Sequence, residues 1–177
     1  MATPTFRDFD MAPLILGMVL GPVMKLINGP TVADAIADPA CTLQEVIHPA
    51  ASVPNLFVAP ARIGLAKLES RLVGELDAHF RLKDKIEALH GEYPHIVIDC
   101  PPALGLLTVN ALVAASHLLI PIQSSYFALE GTDDLLETIE KVRLRPNPAL
   151  RILGVVITMH DRRTALARDI REQIQKV

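Results

Sequence analysis

Residues 93–105 read Tyr-Pro-His-Ile-Val-Ile-Asp-Cys-Pro-Pro-Ala-Leu-Gly, and this stretch decides the fold class. Residues 95–98 are rich in β-branched side chains and show no polar alternation after the histidine, which is typical of a strand buried on both faces of a parallel sheet. Asp99 falls at the carboxyl end of that strand, and the two following prolines cannot donate ladder hydrogen bonds. The pattern predicts an α/β protein whose central strand ends on a carboxylate.

Asp99 is the first candidate functional residue, because ligands in open α/β sheets bind just beyond the carboxyl ends of the strands. An aspartate that ends an apolar strand has the form of a Walker B motif. In that motif the carboxylate orients the water shell of a Mg²⁺ ion bound to nucleotide phosphates. The alternative is an aspartate that caps the next helix or bonds to its own loop, which is common in β/α proteins.

Four blocks of sequence extend this interpretation to a known family. They are Asp-Cys-Pro-Pro-Ala-Leu-Gly-Leu-Leu-Thr-Val-Asn-Ala-Leu from position 99, Leu-Ile-Pro-Ile-Gln from 119, Tyr-Phe-Ala-Leu-Glu-Gly from 126 and Thr-Met-His-Asp-Arg-Arg-Thr-Ala-Leu from 158. In order and spacing they resemble the ParA-type, or Soj-like, partition ATPases. The resemblance implies a P-loop NTPase-like α/β fold, an incomplete parallel sheet with flanking helices. It covers residues 31–177, the expected ATPase core, and leaves residues 1–30 as a divergent segment.

The resemblance also implies a site that binds ATP and Mg²⁺. Asp99 would be the catalytic residue and the water-mediated magnesium ligand. Pro101, Pro102 and Gly105 match the switch loop that follows Walker B and senses the γ-phosphate. A tight loop at a strand end would use the same residue types, so this assignment depends on the resemblance.

A basic carboxyl-terminal segment is the second candidate. Residues 1–140 hold 8 Lys and Arg against 17 Asp and Glu, whereas residues 141–177 hold 9 against 3. Neutralisation of phosphates by Lys and Arg supplies most non-specific DNA affinity, so this polarity suits a DNA-binding face. Arg163 matches the arginine that Soj-like proteins use for DNA, and Arg162 would extend the same face. The alternative is a solvated helix with a chance excess of basic residues.

The amino-terminal segment departs from the family. A ParA-type protein should carry a deviant Walker A loop, Lys-Gly-Gly-x-Gly-Lys-Thr, whose amides and lysines hold the ATP phosphates. The 177 residues contain no Gly-Lys dipeptide. The apolar run 11–27 is too short and too interrupted for a membrane span, and it lacks the positive flank of a signal peptide. We expect a strand over residues 14–20 beside the Asp99 strand, and a chain truncated at both ends relative to the family.

The rest of the chain alternates between predicted helices and strands, as a parallel sheet with right-handed crossovers requires. Capping signals at Thr31 and Thr42 begin two short helices. Further helices are expected over 61–74, 77–90, 107–115, 129–144 and 164–176, with strands over 55–59, 117–122 (fully buried) and 151–159. Cys41 and Cys100 have no metal-ligand spacing, and a small buried thiol at position 100 is favoured over a nucleophile.

Three functions remain open at this stage. The first is a ParA-type chromosome or plasmid partitioning protein, with nucleotide-dependent non-specific DNA binding, a ParB-type partner, possible homodimers and a cytoplasmic, nucleoid-associated location. The second is an inactive fragment or pseudoenzyme that only binds DNA or a partner. The third is a MinD-like ATPase at a membrane. The third is disfavoured because no amphipathic membrane-binding tail is visible.

Overall fold

The computed structural model describes residues 13–17, 29–50, 53–61, 64–72, 74–89, 92–101, 103–123 and 132–159. The chain divides into two compact units, residues 1–114 and residues 115–177. Each unit has its own sheet. In the part of the chain that is described, no helix has the length and apolar character needed to cross a bilayer.

The first unit is built on a four-stranded sheet. Its strands are β1 (Pro13–Gly17), β2 (His48–Pro49), β3 (Phe57–Ala59) and β4 (His95–Asp99), in the spatial order β2-β3-β1-β4. β1 runs parallel to both β3 and β4, so the predicted strand beside β4 is confirmed over residues 13–17. β2 was not foreseen. It pairs antiparallel with β3 at the edge of the sheet, where a proline is tolerated.

Five helices accompany this sheet: α1 (Val32–Ala37), α2 (Leu43–Val46), α3 (Gly64–Leu72), α4 (Arg81–Glu87) and α5 (Leu106–Ala114). The capping predictions are confirmed, because Thr31 and Thr42 each form a capping box with the acidic residue three positions later. α3 and α4 are shorter than predicted, and strand β3 begins two residues late because Asn55 has a left-handed backbone with φ of 59°.

The core of the first unit lies where the helices meet the sheet. Its fully buried side chains include Val32, Ile36, Leu43, Val46, Leu82 and Leu89, all with 2 % exposure or less. Two cationic side chains of α4 bind main-chain carbonyls at the carboxyl end of α1 and in the residues that follow it. Arg81 donates to the carbonyl of Ile36 at 3.1 Å, and Lys85 donates to the carbonyls of Asp38, Pro39 and Cys41 at 3.1, 2.8 and 2.7 Å. Cations are favourable at a helix carboxyl end, so these contacts fix α4 against α1.

The second unit contains β5 (His117–Gln123), α6 (Thr132–Leu144) and β6 (Arg151–Thr158). β5 and β6 pair in parallel with a register shift between Leu118 and Leu119. Ile139 and Val142 of α6 are buried. Asn147, in the turn before β6, stabilises that turn because its Nδ2 donates to the carbonyl of Ala115 at 2.7 Å.

The predicted burial of strands β4 and β5 on both faces was wrong, and β4 lies at the edge of its described sheet. In β4 the side chains alternate, and Val97 is 55 % exposed. In β5 Ile120 and Ile122 are buried, whereas Leu119 is 52 % exposed. An unbroken apolar run predicts burial on both faces only when both faces are covered. In both strands every second side chain is exposed, so the burial follows the alternation of a strand with only one face covered.

Candidate functional site

Asp99 lies at the carboxyl end of β4, and its side chain is exposed. The parallel register places Gly17, the last residue of β1, directly opposite Asp99. Two neighbouring strands therefore end at the same edge of the sheet, one of them on a carboxylate. This edge is where an open α/β sheet places its ligands.

The loop from Asp99 to α5 is held by short-range hydrogen bonds. The Thr108 hydroxyl of α5 reaches back and donates to the Ala103 carbonyl at 2.7 Å, and the Val109 amide donates to the Gly105 carbonyl at 3.1 Å. Thr108 is buried, so its hydroxyl bond is shielded from water. The first turn of α5 thus fixes the far end of the loop that begins at Asp99.

Cys100, the first residue of this loop, is suited to packing rather than to nucleophilic attack. Burial, and next the adjacent carboxylate of Asp99, raise the pKa of the Cys100 thiol from 9.0 to about 11. The reactive species is the thiolate, which is then scarce near neutral pH. The thiol also makes a weak contact with the Ile98 carbonyl at 3.8 Å.

Asn110 anchors α5 to the start of α4. It is fully buried, and its Oδ1 accepts the Leu82 amide at 3.1 Å. Its Nδ2 donates to the carbonyl of Ala78 at 2.8 Å and to that of Leu106 at 3.0 Å. Every hydrogen-bonding group of a buried amide needs a partner, and here one side chain joins α5, α4 and the turn before α4.

Glu69 of α3 is the residue at this edge that sequence reasoning missed. Its carboxylate lies against Gly105, and a Cβ built on that glycine would be 2.9 Å from Glu69 Cδ and 3.2 Å from Oε2. No sequence signal joins two positions so far apart along the chain. Thr108 and Asn110 did carry a signal, since each is a polar residue on the buried face of an otherwise apolar helix.

The sequence-predicted site is only partly within the described residues. Asp99 is the last residue of β4, and Pro101 and Gly105 lie in the loop that follows it. Pro102, Arg162 and Arg163 lie outside the described residues, as do the predicted carboxyl-terminal helix and residues 18–20 of the predicted first strand. Their roles remain predictions.

The residues fit an ATP–magnesium group only in part. The exposed carboxylate of Asp99 is the type of ligand that Mg²⁺ takes through its water shell. The segment after Gly17 reads Met-Val-Leu-Gly-Pro-Val-Met-Lys, which lacks the lysine-threonine pair of a phosphate loop and contains a proline without an N–H group. Within the described ranges no group of three or more His, Cys, Asp or Glu side chains is arranged to hold a metal ion. The donor set therefore does not fit a triphosphate held by a Walker A loop.

Several known proteins are similar in sequence to this chain. A family model described as an AAA domain matches residues 22–152. The ParA chromosome partitioning protein of Myxococcus xanthus is 44 % identical over 133 residues, 75 % of this chain and 47 % of that protein. The sporulation initiation inhibitor protein Soj of Bacillus subtilis is 44 % identical over 145 residues, 82 % of this chain and 56 % of that protein. The chain thus spans about half the length of these relatives.

Among solved structures, cobyrinic acid a,c-diamide synthase from Mycobacterium smegmatis superposes with a TM-score of 0.82 at 26 % identity. The match covers 94 % of this chain and 70 % of that one. The fold is therefore that of the P-loop NTPase-like α/β proteins, with a parallel sheet and flanking helices. Within that class, the chain belongs to the ParA/Soj-type family of partition ATPases.

Proposed function

We propose that this chain acts in the partitioning of chromosomal or plasmid DNA, as a ParA-type protein of the cytoplasm that associates with the nucleoid. The observation that carries the proposal is the parallel pairing of β1 with β4, which sets Gly17 beside Asp99 at the ligand edge of the sheet. The 44 % identity to partitioning proteins supports the same role. A ParB-type protein is the proposed partner, and a second copy of the chain would complete a dimer.

Asp99 is the proposed magnesium-ordering carboxylate, with Pro101, Pro102 and Gly105 as the loop beside it. The chemistry supplied by ATP and Mg²⁺, when bound, is phosphate hydrolysis. The described residues contribute one exposed carboxylate and a loop bonded to α5, and the sequence has no Gly-Lys-Thr segment of a phosphate loop. We therefore expect weak or absent nucleotide binding by these 177 residues.

A titration with fluorescent ATP and Mg²⁺ tests this account of the site. We expect no saturable binding at nucleotide concentrations up to about 1 mM. A Kd of about 1 mM corresponds to a binding free energy near −4 kcal/mol. Asp99→Ala and Asp84→Ala form a matched pair, because both replace an exposed aspartate of the first unit. Saturable binding that Asp99→Ala weakens and Asp84→Ala does not would show that phosphates are held without a Walker A loop, against our expectation.

DNA binding is assigned to the basic segment 141–177, with Arg163 and Arg162 as the contact residues. Retention of random-sequence duplex DNA at low salt is the expected result, falling steeply as salt rises because phosphate-bound counterions are released. Arg163→Ala should weaken binding and flatten the salt dependence by about one unit of log–log slope. Arg143→Ala is the control, since Arg143 is exposed in the same basic segment and pairs with Glu140 at 3.1 Å. Equal losses in both variants would mean that net charge, and not Arg163, binds DNA.

The absence of any Gly-Lys dipeptide favours a second candidate, a module that binds DNA or a partner without hydrolysing ATP. The two candidates differ in the nucleotide dependence of DNA retention. Retention that is unchanged by ATP and Mg²⁺ supports the module, whereas retention that requires both supports an active ATPase.

A further inference from the structure

The contact between Glu69 and Gly105 joins α3 to the loop that carries Asp99. Glu69 is half-buried, and its neighbours Leu68 and Leu72 are 5 % and 3 % exposed in the core of the first unit. These two leucines fix α3, so the carboxylate of Glu69 approaches Gly105 from a fixed helix. Its atoms occupy the space that a side chain at position 105 would take.

Gly105 leaves room for the Glu69 side chain, and its backbone conformation does not itself require glycine. The glycines with left-handed backbones in the described residues are Gly29, Gly74 and Gly154, and Gly105 is not one of them. Alanine would be conformationally allowed at position 105, but its methyl group would collide with Glu69. An alanine methyl group at position 105 would therefore displace the end of the Glu69 side chain.

The carboxylate also lies at the favourable end of a helix. Gly105 immediately precedes α5, a helix of nine residues, and its carbonyl accepts the Val109 amide in the first turn. A negative charge beside a helix amino terminus is stabilising. Steric fit and charge thus act together on the same glycine.

We infer that Glu69 is a positioning residue that holds Gly105 and the start of α5, and through them the loop from Asp99, in one conformation. This inference deepens the proposed function, because the loop is the one that carries the proposed magnesium ligand. Its test requires neither nucleotide nor DNA, so its failure is distinguishable from failure of the proposed function.

Cys100 lies at the start of this loop, so the rate at which its thiol is alkylated measures how readily the loop opens. The full chain carrying Cys41→Ala has one thiol, and iodoacetamide labelling at pH 9 follows its exposure. Burial, and next the charge of Asp99, raise the Cys100 pKa. A faster labelling rate in a Glu69 variant therefore reports loss of burial of the thiol, that is, opening of the loop. Ser70→Ala, at the exposed neighbouring position of α3, is the matched control.

We expect Glu69→Ala to raise the labelling rate about five-fold, which corresponds to local opening easier by about 1 kcal/mol. The urea midpoint of global unfolding should stay unchanged. Glu69→Gln retains the shape and loses the charge, so it should restore part of the protection, and it serves as the test if Glu69→Ala does not fold. An unchanged rate in both variants, or an equal rise in Ser70→Ala, overturns the inference.

Gly105→Ala completes the test, because its methyl group must displace the carboxylate. Alone it should raise labelling by a similar factor. Combined with Glu69→Ala it should add little, since the methyl group then enters vacated space and the two changes act on one contact. Factors that multiply in the double variant would show that the two residues act independently, and would refute the proposed positioning.

Discussion

Asn110→Ala is the substitution that the described structure predicts to be most damaging. The side chain is fully buried and bonds to three backbone groups, which lie in α5, in α4 and in the turn before α4. Truncation to alanine leaves the Leu82 amide and the Ala78 carbonyl without their partner, in a region that water does not reach. The Leu106 carbonyl is affected less, because it lies within α5 and takes part in the helical hydrogen-bond ladder.

The magnitude follows from the two orphaned groups. Leaving a buried donor or acceptor unsatisfied costs about 1–3 kcal/mol, so the pair costs about 2–6 kcal/mol in the free energy of unfolding. Domains of this size are stable by about 5–15 kcal/mol, so a loss in that range removes a large part of the total. We expect a large fall in the urea midpoint for Asn110→Ala.

Urea unfolding followed by circular dichroism measures this loss, and hydrogen exchange at the Leu82 amide localises it. Asn110→Leu separates hydrogen bonding from cavity formation, because leucine fills similar volume without polar groups. Val109→Ala, one position earlier and only half-buried, should cost much less. Native stability in Asn110→Leu would refute the reasoning, since it would mean that packing and not hydrogen bonding explains the damage.

Three further predictions concern other parts of the chain. Lys85→Met should lower the free energy of unfolding by about 1–2 kcal/mol, because three carbonyls lose a charged donor. Lys83→Met removes only an exposed ion pair and should change that free energy by less than about 0.5 kcal/mol. The urea midpoints of the two variants measure the difference. Burial raises the pKa of the Cys100 thiol from 9.0 to about 11, so its contribution to stability is complete below pH 9 and lost as pH rises through 11. The midpoint of thermal unfolding should therefore fall over this alkaline range, and the fall should be smaller in Cys100→Ala. Met159→Asn should stabilise the second unit by about 0.5–1 kcal/mol in thermal unfolding, because the φ of 50° at this position strains methionine more than asparagine.

The sequence predicted those features that depend on neighbouring residues. The helix start at Thr31 and the capping box at Thr42 follow from nearby residues, and the end of β4 at Asp99 follows from the prolines after it. A strand over 14–20 was predicted because an apolar run of suitable length was available for the position beside β4, and the structure has it over Pro13–Gly17, with residues 18–20 outside the described part.

The missed features depend on the assembled layers. Whether Val97 is buried depends on what covers its face of the sheet, and the residues around it carry no record of that. The contact of Glu69 with Gly105 arises only after α3 and α5 pack in the same unit. The edge strand at His48–Pro49 was hidden because a proline normally indicates that a strand or helix has ended.

The central position of β1 has a consequence for biosynthesis. β1 leaves the ribosome before both of its neighbours in the sheet, and one of them, β4, is synthesised roughly 80 residues later. Until then Leu14, Ile15 and Leu16 form a nascent apolar segment with only part of its sheet available, a state prone to aggregation. Translation pauses or chaperones that act before residue 99 emerges would therefore affect the yield of folded protein more than those that act afterwards.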